Sequence, residues 1–165
     1  MIIETLKRIA WFVILVLVQV LILNHLHVLG YATPFLYVYL LLKMPSATSR
    51  NALLLWGFAI GLSVDLFSNT PGMNAAATTF LALLLPGIWA LYMPKGDTEE
   101  FIPGIHTISF SFFVKYAFTA ILLHHSALFL IDSFSFWDIH LLLLKIVCST
   151  ILTLVCVLAL DGLNK

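Results

Sequence analysis

Long hydrophobic runs, separated by short polar stretches, dominate the chain. About 20 apolar residues in a helix cross the hydrocarbon core of a bilayer, and on that measure the runs predict six membrane spans. These cover residues 9–29, 31–44, 51–67, 74–93, 107–131 and 139–160. The second run is the shortest, and Gly30 and Pro34 lie near its start. We therefore expect an all-α membrane protein, a six-transmembrane-helix bundle that forms one integral domain over residues 1–165.

The composition agrees with this pattern. Hydrophobic residues make up 62% of the chain and charged residues only 10%, whereas a soluble domain has about 25% charged residues. Eight basic residues balance eight acidic ones and form no basic patch. Nucleic-acid binding is therefore not expected.

The basic residues predict the orientation of the chain. If all six runs cross and the N-terminus is cytoplasmic, the outer loops hold no Lys or Arg, and the cytoplasmic ends hold Lys7, Arg8, Lys43, Arg50, Lys95 and Lys165. If the second run did not cross, most of these residues would move outside. The positive-inside rule favours the first arrangement, so we expect both termini to be cytoplasmic.

An acidic residue lies inside the third run. Gly57, Gly61 and Asp65 are spaced at i, i+4 and i+8, so they share one stripe of a helix. The glycines allow a neighbouring backbone to approach closely, and the carboxylate then faces protein. A charge near the bilayer centre costs roughly 2.5–3.5 kcal/mol on insertion scales, so Asp65 needs a partner or a function.

Small residues continue this stripe beyond the turn that follows it. Pro71 and Gly72 favour a turn, Asn74 is suited to cap the next helix, and Ala75 and Thr78 lie in the small-sided surface that opens the fourth run. Such surfaces usually pack against another helix, and otherwise they line a groove or bind a partner's span. We treat the stripe from Gly57 to Thr78 as a partner-binding or helix-packing surface.

Two lysines, Lys115 and Lys145, lie within predicted spans and away from the cytoplasmic ends, and one of them is a candidate partner for Asp65. Lys145 lies about as far below the outer end of the sixth span as Asp65 lies below the outer end of the third. The sequence therefore predicts an Asp65–Lys145 ion pair, with Lys115 as the competing partner. The alternative is that the Lys145 side chain extends to the outer interface.

Histidines raise the question of a metal site. His25 and His27 are two residues apart and His124 and His125 are adjacent, so neither pair has the i, i+4 spacing of helical zinc ligands. We expect these residues and His140 to be interfacial, in contact with water or head groups, and we expect no metal and no cofactor. No catalytic motif is present either. The loop at 95–106 is expected to be a solvated connector, or else a docking point for a cytoplasmic partner.

The segment at 61–75 reads GLSVDLFSNTPGMNA. Together with the length and six-span layout of the chain, it resembles the rod shape-determining protein MreD family. Members typically carry a glycine-rich third span that ends in Gly-x-x-x-Asp, then a short turn with Gly before a helix of small residues. Gly61, Asp65 and Gly72 match these positions, whereas Lys115 and Lys145 match no position of the family pattern.

This resemblance implies a function and a set of partners. It implies a non-enzymatic scaffold of the bacterial cell-elongation machinery in the cytoplasmic (inner) membrane, with a fold resembling the substrate-binding subunits of energy-coupling-factor transporters. The implied partners are the bitopic protein MreC, the actin-like MreB, the polymerase RodA and its penicillin-binding transpeptidase, all in a lipid environment.

Two other functions remain as alternatives. The first is a substrate-binding subunit of a vitamin-type transporter, whose first span usually carries Ala-x-x-x-Ala. Here residues 13 to 20 are Val, Leu and Ile except for Gln19. The second is an intramembrane lipid enzyme that uses Asp65 or the outer histidines, which would require a second acid or a metal.

Overall fold

The computed structural model describes residues 2–26, 30, 32–92, 100–133 and 138–163. Within these residues the chain forms six α-helices, which we number along the sequence: α1 (Ile2–Leu21), α2 (Val38–Leu42), α3 (Arg50–Ser68), α4 (Met73–Tyr92), α5 (Phe110–Asp132) and α6 (Ile139–Leu163). A short 3-10 turn, Leu23–His25, follows α1.

Five of the six helices are long and apolar enough to cross a membrane, and α2 is the exception. The predicted all-helical membrane architecture is confirmed at this level. The spans predicted at 51–67, 74–93, 107–131 and 139–160 correspond to α3, α4, α5 and α6, with ends that differ by up to three residues. Helix α1 begins seven residues before the predicted span, and residues 27–29 of that span lie outside the described part.

Local signals explain several helix ends. Ser49 has an extended backbone and its side chain accepts a hydrogen bond from the backbone N–H of Ala52 at 3.3 Å, so it caps the start of α3. Asn69 ends α3 in the left-handed conformation, with φ of 54°, which Asn adopts more readily than most residues.

Different polar contacts join the helices at the two ends of the bundle. At one end, which we call the Asp65 end, Asn24 donates a hydrogen bond to Ser68 at 2.7 Å. At the other, the Asp161 end, Lys43 pairs with Asp161 at 2.8 Å. Glu4 lines a cavity with Lys43 at this same end. The start of α1 and the end of α6 therefore lie at the same end of the bundle.

The second predicted span, 31–44, is not a membrane-length helix, because its only described helix is the five-residue α2. Pro34 disfavours a helical conformation at Thr33 and cannot donate its own backbone hydrogen bond, and the chain stays non-helical until the turn that opens α2. Four non-helical residues, 32–35, at roughly 3.3 Å each and seven residues of turn and helix, 36–42, at about 1.5 Å each span at most about 24 Å. The segment leads from Thr33, beside the cavity at the Asp65 end, towards Lys43 at the Asp161 end, although its helix is short.

This short segment, residues 32–42, is also the most deeply buried part of the fold. Tyr37, Val38, Leu41 and Leu42 are completely inaccessible to solvent. Helices α1, α3 and α5 contact α2, and α6 bonds to the residues before it. These contacts matter because non-helical backbone is tolerated at membrane depth only where it is buried in protein or lines a water-filled cavity. We call residues 32–42 the central segment.

Candidate functional site

The glycine stripe of α3 lies directly against α4. A Cβ atom added at Gly57 would lie 2.8 Å from both the Cβ of Ala82 and the carbonyl oxygen of Thr78. At Gly61 it would overlap the backbone of α4 and the Thr78 hydroxyl. The contact between α3 and α4 is the most extensive one between helices in the structure. The small-residue faces therefore pack on each other and are not open to a partner's span.

Asp65 lies at the end of this contact, where it is 4% exposed and accepts four hydrogen bonds. One carboxylate oxygen accepts from the hydroxyl of Thr70 at 2.8 Å, and from the backbone N–H and the side-chain amide of Asn74 at 3.0 and 2.9 Å. The other oxygen accepts from the backbone N–H of Ala75 at 2.8 Å. The carboxylate thus accepts hydrogen bonds from two backbone N–H groups in the first turn of α4 that have no partner within the helix.

This arrangement makes Asp65 the cap of a helix that begins eight residues later. The first N–H groups of a helix lack partners within it and carry a partial positive charge, so a carboxylate placed there is stabilised. The intervening turn supports the geometry: Gly72 has φ of 80°, a conformation that favours glycine, and the backbone N–H of Thr70 donates to the carbonyl of Asp65 at 3.2 Å.

The Asp65–Lys145 ion pair predicted from the sequence is not present. Among the described residues, the ion pair within 4.0 Å is the one between Lys43 and Asp161. The physical reason is that hydrogen-bond donors of the turn and of α4 already surround the Asp65 carboxylate. The competing Lys115 is exposed on α5, whereas Lys145 is half-buried and lines a cavity at the Asp65 end.

A buried polar chain extends from Asn74 into the centre of the bundle. Asn74 accepts a hydrogen bond from the Tyr37 hydroxyl at 2.7 Å, and that hydroxyl lies 3.2 Å from Nε2 of His124. His125 contacts the backbone carbonyl of Ile121 through Nδ1 at 2.7 Å.

Both adjacent histidines, His124 and His125, are fully buried, so the expectation that they are interfacial is wrong for this pair. His25 and His140 are exposed, and His27 lies outside the described residues.

Polar side chains of α1 and α6 satisfy the extended part of the central segment. Gln19 donates to the carbonyl of Pro34 at 2.9 Å and accepts from the backbone N–H of Leu36 at 2.8 Å. Ser149 accepts from the backbone N–H of Thr33 at 3.2 Å. Thr153 accepts from the backbone N–H of Phe35 at 3.0 Å. These bonds replace the partners that a helix would have supplied.

A second buried carboxylate holds the opposite end of the central segment. Asp161 is 1% exposed; one of its oxygens accepts from the hydroxyl of Tyr39 at 2.9 Å and pairs with Lys43 at 2.8 Å. The other oxygen accepts from the backbone N–H of Ile105 at 2.7 Å. This carboxylate therefore ties the central segment to α6 and to the loop before α5.

A cavity of about 390 Å³ opens at the Asp65 end of the bundle. Its wall includes the side chains of Lys145 and Asp132, the polar groups of Thr33, Ser68 and Asn24, and an apolar part formed by Phe35, Leu128 and Phe129. Thr70 and Asn74, two of the donors to Asp65, also line it. The cavity thus lies beside the Asp65 cap and contains charges of both signs.

The structure brings together most of the residues that the sequence singled out. Gly57, Gly61, Asp65, Ala75 and Thr78 meet in the α3–α4 contact. Pro71 and Gly72 form the exposed turn, while Asn74 is buried beside Asp65.

Several important residues were missed. Gln19 and Asp161 are polar residues inside or at the end of apolar runs, and this position was a usable signal. No signal indicated the role of Tyr37 and Tyr39, because tyrosine is common in membrane spans. The loop prediction at 95–106 falls partly on residues outside the described part.

Within the described part of the chain, no group of three metal-ligating side chains is present. Comparison with protein-family models, with curated proteins and with solved structures found no match to the chain. The functional interpretation therefore depends on the residues and on their geometry.

Proposed function

We propose that this chain is a non-enzymatic scaffold of the bacterial cell-elongation machinery, in the inner membrane, and that it binds an MreC-like bitopic protein. The observation that carries the proposal is that the family-like segment at 61–75 acts as one structural unit. Gly61 allows the close contact between α3 and α4, Asp65 caps α4, and Gly72 permits the turn between them. The residues that resemble the family pattern are thus the ones that the local geometry requires.

The use of the buried polar groups also supports a scaffold. Asp65, Asp161, Gln19, Ser149 and Thr153 all bind backbone groups of turns or of the central segment. In this pattern the buried polar side chains hold the backbone in a fixed conformation. A rigid bundle with a defined lateral surface is what a protein needs to hold other membrane proteins in place.

The surface available to a partner is not the glycine stripe but the outward apolar faces of the bundle. Helix α1 contacts the rest of the fold less than α4 contacts either α3 or α5, and its exposed residues include Leu6, Ile14 and Leu17. A single membrane-spanning helix would pack there through van der Waals contacts in competition with lipid. Elongation partners such as MreB, RodA and the transpeptidase would then join through the bitopic protein or directly.

Affinity capture from the bacterium that encodes the chain tests this proposal. The tagged full chain is solubilised in mild detergent, and the proteins bound to it are identified by mass spectrometry, with an unrelated multi-pass protein carrying the same tag as the control. We expect an MreC-like bitopic protein to be enriched with the chain alone. Recovery of the folded chain without that protein, from an extract shown to contain it, would contradict the proposal.

The cavity at the Asp65 end favours a second candidate, a substrate-binding subunit of a vitamin-type transporter. Its volume of about 390 Å³ lies in the range of ligand pockets. Denaturing the purified protein and analysing the released small molecules distinguishes the two functions. One vitamin per chain would favour the transporter subunit, whereas co-purification of the bitopic protein without a vitamin would favour the scaffold.

A further inference from the structure

The cavity at the Asp65 end contains a cation and an anion that are not paired with each other. Lys145 and Asp132 both line it, yet their charged groups are more than 4.0 Å apart, since no ion pair forms between them. No other described carboxylate comes within that distance of the Lys145 ammonium either. The Lys145 side chain is half-buried at the cavity wall, so an anion that enters the cavity can form a charge-assisted hydrogen bond with its ammonium.

The remaining wall of the cavity determines what else a ligand must carry. Thr33, Ser68 and Asn24 supply hydroxyl and amide groups for a polar ligand, while Phe35 and Phe129 supply an apolar side. The complementary molecule has a negative group for Lys145, a hydrogen-bonding positive group for Asp132, and an apolar attachment.

The depth of the cavity points to a particular source of such a molecule. Asp132 is the last residue of α5, and Lys145 lies six residues after the start of α6 at Ile139. At about 1.5 Å per residue, Lys145 is roughly 9 Å from the end of its helix. In a helix that spans a bilayer, these positions bracket the boundary between head groups and acyl chains.

We propose that this cavity binds a phosphoethanolamine group, with the phosphate on Lys145 and the primary amine on Asp132. A phosphatidylethanolamine molecule supplies this group with its acyl chains directed along the apolar wall, and the free ester supplies the same charges without the chains. The inference does not depend on the scaffold function, because it rests on the cavity and its two charges alone.

Native mass spectrometry of the purified full chain tests the proposal with three lipids that share acyl chains. Phosphatidylethanolamine has both groups, phosphatidylglycerol lacks the amine, and phosphatidylcholine has a quaternary ammonium that cannot donate a hydrogen bond. We expect phosphatidylethanolamine to bind about tenfold more tightly than the other two, the size of effect that one charge-assisted hydrogen bond gives.

Two substitutions identify the site. Lys145→Met should weaken phosphatidylethanolamine binding about tenfold, whereas Lys115→Met, at an exposed lysine outside the cavity lining, should leave it unchanged. Asp132→Asn should remove the preference for phosphatidylethanolamine over phosphatidylcholine, and Asp138→Asn, at an exposed residue before α6, should retain it. Thermal unfolding of each variant confirms that it is folded.

Free phosphoethanolamine distinguishes the two sources of the group. If millimolar ester displaces the lipid, the cavity accepts the group in either form; if it does not, the cavity requires the lipid. Equal binding of all three lipids, or equal behaviour of the Lys145→Met and Lys115→Met variants, would overturn the proposal. Tightest binding of phosphatidylglycerol, insensitive to Asp132→Asn, would overturn the assignment of the amine.

Discussion

The two buried carboxylates, at opposite ends of the bundle, stabilise non-helical chain in different ways. Asp65 is surrounded by neutral donors: one hydroxyl, one amide and two backbone N–H groups of α4. Asp161 combines neutral donors with a cation, since Lys43 pairs with it at 2.8 Å. Both are almost inaccessible, at 4% and 1% exposure. A buried acid in this fold therefore does not require a basic partner when a helix N-terminus faces it.

The difference also matches the neighbourhood of each acid. Asp65 holds a tight turn whose own backbone can reach the carboxylate. Asp161 joins α6 to two other parts of the chain that are distant in sequence. These are the stretch with Tyr39 and Lys43, and the loop with Ile105. The Lys43 side chain is 22% exposed, so this pair keeps some contact with solvent, and the ion pair is correspondingly weaker than a fully buried one.

Removing the charge of Asp65 should have the largest effect. In Asp65→Asn, one carboxylate oxygen becomes an amide N–H₂ that faces donors of Thr70, Asn74 or Ala75, so at least one buried donor loses its acceptor. We expect a loss of about 3 kcal/mol in the free energy of unfolding, measured by titration with sodium dodecyl sulfate in mixed micelles. The control is Asp138→Asn, which should change the stability by less than about 0.5 kcal/mol. Equal effects of both variants would contradict the role of Asp65.

Removing the charge of Asp161 should have a smaller effect. Asn at this position still offers one acceptor to Tyr39 or Ile105, and the partly exposed Lys43 can turn to water. We expect Asp161→Asn to reduce the free energy of unfolding by about 2 kcal/mol in the same titration. A loss as large as that of Asp65→Asn would mean that the cation, and not the set of neutral donors, dominates such sites.

Removing the cation alone should cost less again. In Lys43→Met the Asp161 carboxylate keeps its bonds from Tyr39 and Ile105, and we expect a loss of about 1.5 kcal/mol. Because the Lys43 side chain is partly exposed, salt screens the pair, and the destabilisation should be smaller at high ionic strength than at low. A variant as stable as the wild type would show that the ion pair contributes nothing.

The smallest effect on stability is expected at Lys145, which the sequence predicted to be the ion-pair partner of Asp65. Because no ion pair forms between them, Lys145→Met should change the stability by no more than about 0.5 kcal/mol. In a double-mutant cycle with Asp65→Asn, the two changes should be additive within about 0.5 kcal/mol. A coupling energy well above this value would instead support the ion pair between Asp65 and Lys145.

The length of the apolar runs predicted the five membrane-length helices, because a helix in lipid satisfies its own backbone and needs only an apolar surface. The central segment could not be predicted in this way. Its conformation depends on side chains from other helices, such as Gln19 and Thr153, which supply the backbone hydrogen bonds that α2 is too short to make. Sequence spacing gives the period of one element but not which distant residues meet.

The site was predicted in part for the same reason. Gly57, Gly61 and Asp65 lie on one helix, and their common face follows from the helical repeat. The partner of Asp65 lies across a turn, and similar depth in the membrane suggested Lys145 although nearer backbone groups were available. The cost of burying a charge indicated that Asp65 needs partners, but it did not specify that those partners would be neutral.

The central claim is that the Asp65 carboxylate, through neutral donors, holds the start of α4. Hydrogen exchange at the backbone amides of Asn74 and Ala75 measures this most directly, because both donate to that carboxylate. We predict slow exchange in the wild type and in Lys145→Met, and exchange faster by about a hundredfold at these two amides in Asp65→Asn, as expected for the loss of about 3 kcal/mol at this site. Unchanged exchange in Asp65→Asn, or an equal acceleration in Lys145→Met, would contradict the claim.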